Sequence, residues 1–160
     1  MKNIAIRFTA VLTCILLVLA LASCSTGNAK DIFAVEYNGQ TITLGEKADG
    51  VLRALGEPES EQNSGNCGGL GETIVYDYPA LKLTVVDYED GDAIIDKIEL
   101  KTDTAETVDG IYIGADEDKV VKAYGDGESS NGALVYSDDG KEMAIGIKNG
   151  KVTYIIMFCD

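Results

Sequence analysis

The 160-residue chain contains no histidine and no tryptophan. Without histidine neither a Ser-His-Asp nor a Cys-His catalytic arrangement can be assembled, and no zinc-ligand spacing occurs. Basic residues are scarce, 13 Lys and Arg against 27 Asp and Glu, for a formal charge of −14. Because the first 23 residues hold Lys2 and Arg7 but no acid, the rest carries 11 of those basic residues against all 27 acids, about −16. Such a surface repels nucleic acid, which removes that partner class. It is well solvated and suited to steering a basic partner. Paired carboxylates can do acid/base work in principle, but among so many acids any pair is unremarkable, and the reading is non-catalytic. The Gly-rich stretches Glu57–Gly71 and Gly127–Gly132 lack the Gly-Lys-Ser/Thr of a phosphate cradle. The acidic run Asp87–Asp92 puts Gly91 at position 5 and Asp92 at position 6, against the order of a calcium-binding EF-hand loop, so it reads as a turn. No metal and no cofactor is expected.

Long apolar runs are equally scarce. Ala10–Ala22 is almost purely apolar, too short for a comfortable membrane span, and follows the basic Lys2 and Arg7. It ends in Leu21-Ala22-Ser23-Cys24, which resembles the bacterial lipobox, whose cysteine becomes the acylated N-terminus of the mature protein. The expectation is a lipoprotein signal peptide over 1–23, a lipidated tether over 24–30 with Cys24 acylated, and one domain over 31–160. Two acyl chains are what stable anchoring requires. Ser25–Lys30 reaches roughly 13 Å as a flexible coil and at most about 20 Å extended, which keeps the domain near the bilayer. Ser25 after Cys24 carries no mark for inner-membrane retention.

One stretch occurs twice. Ile42-Thr-Leu-Gly45 leads through Ala48, Val51, Leu52 and Leu55 to Gly56, and Ile111-Tyr-Ile-Gly114 leads through Glu117, Val120, Val121 and Tyr124 to Gly125. The spacing i, i+3, i+4, i+7 predicts one face of a short helix in each copy. Asp116 is the expected N-cap of the second helix, and Gly56 and Gly125 the left-handed residues that end each one. Pro58 prevents resumption of the first helix. Helices this short need a surface to lie on. Strand-like segments follow each: Thr73–Tyr78, Leu81–Tyr88 and Ala93–Leu100, then Ala133–Tyr136, Met143–Ile147 and Lys151–Phe158. The expected fold class is α+β: two tandem repeats, about 40–101 and 109–158, each a short helix followed by an antiparallel three-stranded meander. An N-terminal hairpin turning at Asn38-Gly39 precedes them. Residues 57–71, 102–110 and 127–132 read as connections.

Cys67 and Cys159 are the cysteines left after Cys24, and outside the cytoplasm such a pair reads as a disulfide candidate. A bridge would close about 93 residues, worth about 4–5 kcal/mol; two separate thiols are the alternative. Of eight tyrosines, Tyr78, Tyr88 and Tyr154 are the candidate interaction surface, since tyrosine offers area with one polar tip. The other reading of Tyr76, Tyr124 and Tyr136 is packing under the helices.

The strand-Gly-helix-Gly unit with its meander, doubled behind a lipobox, resembles the tandem-repeat domain of the beta-lactamase inhibitory protein and the SmpA/OmlA (BamE-type) lipoprotein module, as found in lipoproteins of Gram-positive bacteria. Its carriers are Gly45, Val51, Leu55, Gly56, Gly114, Val120, Tyr124 and Gly125, with Tyr76 and Tyr136. The resemblance implies helices on one face of an antiparallel sheet and protein contact across the open face or its loops. The expected role is a non-catalytic protein-interaction or scaffold module of the bacterial cell envelope. It would be held by its lipid at the extracytoplasmic face of a membrane and contact another envelope or extracellular protein. The alternative is binding of a small ligand, metal ion or cationic peptide by the acidic domain.

Overall fold

The computed structural model describes residues 31–65, 71–88 and 91–160. The signal peptide, Cys24, the tether and Cys67 lie outside the described residues. Residues 31–160 form one compact unit.

The Asn38-Gly39 hairpin forms as its residues require. Both adopt positive φ, 51° and 74°, the conformation of the tight turn that matches strand twist. It joins β1 (Ala34–Tyr37) to β2 (Gln40–Thr43). The chain then turns into α1 (Ala48–Leu55). The antiparallel strands β3 (Ser60–Gly65), β4 (Glu72–Asp77), β5 (Leu81–Asp87) and β6 (Ala93–Leu100) follow. The two-residue β7 (Glu106–Thr107) pairs with β1, so the hairpin becomes a three-stranded sheet in the order β2-β1-β7. Next come α2 (Glu117–Tyr124), β8 (Glu128–Ser130), β9 (Ala133–Asp138), β10 (Lys141–Lys148) and β11 (Lys151–Cys159).

The expected class, α+β with two repeats of a helix and a three-stranded meander, is corrected by this architecture. Among the described residues the protein is mostly β, 54% strand and 13% helix, with two helices, a three-stranded sheet and one eight-stranded antiparallel sheet. The large sheet runs β3-β4-β5-β6-β11-β10-β9-β8. Two physical facts separate it from the expectation. First, β6 pairs with β11, from Ile155↔Leu100 to Phe158↔Lys97, and fuses all the later strands into one surface. Second, Ser60–Gly65 and Glu128–Ser130, which read as connections, are its two edge strands. Every residue of both is exposed. An edge strand with neither face on a core needs no apolar alternation, and polar, acidic edges resist further pairing.

The glycines of the repeated stretch deliver each helix to the sheet. At Gly45 (φ 84°) and Gly114 (φ 98°) the chain leaves its strand direction. Gly45 N–H donates to the Ile95 carbonyl at 2.8 Å and Ile95 N–H to that of Glu46 at 2.9 Å; Gly114 N–H donates to Val152 and Val152 N–H to Ala115 at the same two distances. Gly56 and Gly125 end the helices with φ near 78° but ψ near −160°, a glycine-only region rather than the expected left-handed cap. Asp116 occupies the N-cap without capping; its carboxylate pairs with Lys151 at 2.6 Å. Of the predicted stripe on α2, Val120 is buried and Val121 is 37% exposed. One contiguous core joins Phe33, Ile42, Leu44, Ala48 and Val51 to Leu81, Leu83, Ile98, Val120, Met143, Ile155 and Met157.

Candidate interaction surface

Alternation along each strand sends one set of side chains into this core and the other to the opposite face of the large sheet. Register across the strands shows how the second set lines up. One row runs Val75, Thr84, Lys97, Phe158, Glu142, Ser137. The next runs Asp77, Lys82, Glu99, Ile156, Ala144, Val135, Glu128. None of these residues belongs to the core or packs against it. This face is open among the described residues.

Its two halves differ. On β4–β6 the charges cancel locally: Lys97 lies 3.2 Å from Glu99, Lys82 3.9 Å from Asp77, and Lys101 reaches Asp77 at 2.6 Å and Glu59 at 3.7 Å. The hydrogen bond that Lys101 donates to Asp77, against an opposing desolvation, holds the Lys101 ammonium above its usual range. On β9–β11 the same face carries an apolar strip, Tyr154, Ile156 and Phe158 on β11, Ala144 on β10 and Val135 on β9, with Glu142 and Ser137 beside Phe158 and Glu128 beside Val135. Tyr154 stands opposite Gly146, and its ring lies on that glycine so closely that a Cβ there would come within 2.1 Å of Cε1. A break in register between Gly146 and Ile147 accompanies this contact, and the Thr153 hydroxyl donates to the Gly146 carbonyl at 3.2 Å. Tyr154 is thus seated yet 40% exposed. A rigid aromatic that loses little freedom on contact is the usual anchor of an interface.

The three candidate tyrosines do not share a patch. Tyr78 is buried, 2% exposed, in the β4–β5 turn, and its hydroxyl donates to the Gly56 carbonyl at 3.3 Å. It is a structural residue of the α1 end. Tyr88 is 38% exposed at the far end of β5, and Tyr154 lies two strands away on β11. Tyr136 is buried and donates to the Gly125 carbonyl at 3.0 Å. Tyr124 packs on Tyr136 with centroids 5.3 Å apart and contacts the Thr107 hydroxyl at 2.5 Å. Burial, foremost, raises the Tyr124 phenol far above its ordinary range. Cys159 ends β11 opposite Lys141, half-buried and, among the described residues, with a free thiol. Burial and then the charge of Asp96 push that thiol up.

Of the strip Tyr154–Ile156–Phe158, the sequence reading names Tyr154 and misses Ile156 and Phe158. Its signal was the unbroken run Tyr154-Ile-Ile-Met-Phe-Cys159. A strand apolar at every position is apolar on both faces, and here only one of them meets the core. An acidic cleft of about 480 Å3 lies elsewhere, between the β1–β2 turn and residues 103–106, with Glu36, Asp103 and Glu106 in its wall. Among the described residues no group of three or more His, Cys, Asp or Glu is arranged to hold a metal ion. No helix among them is long and apolar enough to cross a membrane.

Fold and surface define a mostly β protein with one covered and one open sheet face. Neither protein-family models, nor curated proteins, nor solved structures give a significant match to the chain, so a functional reading rests on the surface itself.

Proposed function

We propose that this is a lipid-anchored, non-catalytic protein-interaction module of the bacterial cell envelope, held at the extracytoplasmic face of a membrane through Cys24, and that its contact surface is the open face of the eight-stranded sheet. The carrying observation is the apolar strip of Tyr154, Ile156 and Phe158 with Ala144 and Val135, on a chain of charge −14. An apolar centre depleted of charge, with seated aromatics, is the composition of protein interfaces, and contiguous apolar patches on such a surface mark contact sites. The anchor reading is supported by Leu21-Ala22-Ser23-Cys24 behind a basic start and an apolar run.

Two experiments test it. Cells expressing the full chain and fed a labelled fatty acid should yield labelled protein, and the Cys24→Ala variant should carry none; equal labelling of both removes the anchor. A photo-crosslinking residue at Ala144 should give one dominant protein adduct in the native membrane, and the same residue at the exposed Thr104 should not. Equal adducts at both positions, or none at Ala144, would sink the contact reading.

A further inference from the structure

We propose that the partner seats on the β9–β11 half of the open face and presents an apolar ridge flanked by lysine or arginine side chains. This deepens, and rests on, the protein-contact reading above. The argument is charge complementarity. On the β4–β6 half, Asp77 and Glu99, the acids of the two rows, and Glu59 beside them each have a lysine within 4 Å, so the acids of those rows are met locally. On the other half Glu142 sits directly between Phe158 and Ser137, and Glu128 directly beside Val135. Neither makes an ion pair among the described residues. Two uncompensated carboxylates therefore bracket the apolar strip. A partner that covers the strip must desolvate them, which is costly unless it supplies a cation at each.

Other occupants fit worse. A second copy would set the same carboxylates against each other and bring −14 toward −14. An anionic lipid surface would meet the same two carboxylates with its own negative potential. A basic partner is instead steered in by the field of the whole protein.

The test uses the full-length chain, isotopically labelled, and three synthetic twelve-residue peptides that alternate valine with lysine, with glutamine or with glutamate. The lysine peptide should shift backbone signals around Ala144 and Ile156 and leave those of β4 and β5 in place; the glutamate peptide should shift none. Glu128→Lys with Glu142→Lys should weaken the lysine peptide roughly tenfold, and Tyr154→Ala should weaken it further. Shifts spread evenly over the acidic surface, or affinity indifferent to the two reversals, would overturn the proposal. Equal binding of the glutamine and lysine peptides would overturn the basic partner class. Concentration-dependent shifts at the same signals without peptide would overturn it in favour of a second copy. If crosslinking at Ala144 persists through any of these failures, the protein-contact reading stands; if that crosslinking is absent, it is that reading that has failed.

Discussion

Tyr136 donates its hydroxyl to the carbonyl of Gly125, the residue that ends α2, at 3.0 Å. Tyr78 does the same for Gly56 at the end of α1, at 3.3 Å. Each tyrosine rises from the large sheet or its turn and ties down a helix end, satisfying a carbonyl that the helix itself leaves unpaired. Removing the hydroxyl leaves the ring and deletes only that bond. Tyr78→Phe and Tyr136→Phe are each expected to cost about 1 kcal/mol, and Tyr136→Ala roughly 3 kcal/mol or more, since packing against Tyr124 goes too. Urea unfolding with unchanged m-value checks all three.

Two glycines should respond in opposite directions to alanine. Gly50 lies within α1 with nothing within 4 Å of an added Cβ, so Gly50→Ala should stabilise by about 0.5–1 kcal/mol. Gly71 has φ 134°, and a Cβ there would stand 2.2 Å from the backbone carbonyl oxygen of Asp87. Gly71→Ala forces β4 away from β5 and should cost roughly 2 kcal/mol or more. Thermal unfolding of the pair decides the matter.

Asp96 sits at the β5–β6 irregularity. Thr84 pairs with Lys97 and Val85 with Ile95, leaving Asp96 without a β5 partner. Burial raises its carboxyl above the ordinary range, with Lys97 opposing. A carboxyl whose folded pKa is raised favours the fold below its unfolded pKa and loses that contribution as pH climbs through the raised value. The charged form of Asp96 therefore costs stability. Asp96→Asn should raise Tm by about 1–4 °C at pH 7 and leave it unchanged at pH 3. The same change removes one of the charges that push up Cys159. In a Cys67→Ser background, alkylation of Cys159 followed on its own peptide by mass spectrometry should speed up at pH 8. Unchanged Tm and unchanged alkylation would show that Asp96 is fully solvated.

Gly146 separates stability from contact. The atoms an added Cβ would strike belong to the ring of Tyr154, whose outer edge faces solvent, so the added group can push the ring outward without moving the backbone. Gly146→Ala should change stability by less than about 1 kcal/mol. It should also lift the ring from its seat, raise Tyr154 accessibility to iodination, and lower the yield of the Ala144 crosslink. A large loss of stability with crosslinking intact would assign Gly146 to the fold alone.

How much of this was legible in the sequence depended on whether a residue's role is local. Asn38-Gly39 set its turn through its own backbone preferences, and Ala93–Leu100 was delimited to the residue by its apolar pattern. Ser60–Gly65 and Glu128–Ser130 were not legible as strands because their pairing needs only backbone, and their side chains meet no core. Val121 read as part of an apolar stripe, yet α2 buries only Val120 fully, because how a two-turn helix rolls on a sheet is set by the surface beneath it. Tyr78 and Tyr154 are the same residue type, each in or beside an apolar run, and only tertiary position makes one a buried tie and the other a seated, exposed ring.

By itself the sequence determined the excess of acid, the lack of histidine, the lipobox-like tetrapeptide, the two glycine-bounded helices and the central strands. Those properties follow from composition or from periodicity over a few residues. Tertiary structure alone decided that β6 meets β11, that eight strands share one sheet, and that one of its faces stays open among the described residues. It also decided that the acids bracketing Ile156 and Phe158 find no cation among the described residues. Each of these depends on which distant segments pair, and backbone hydrogen bonds between strands carry no side-chain signature of their partner.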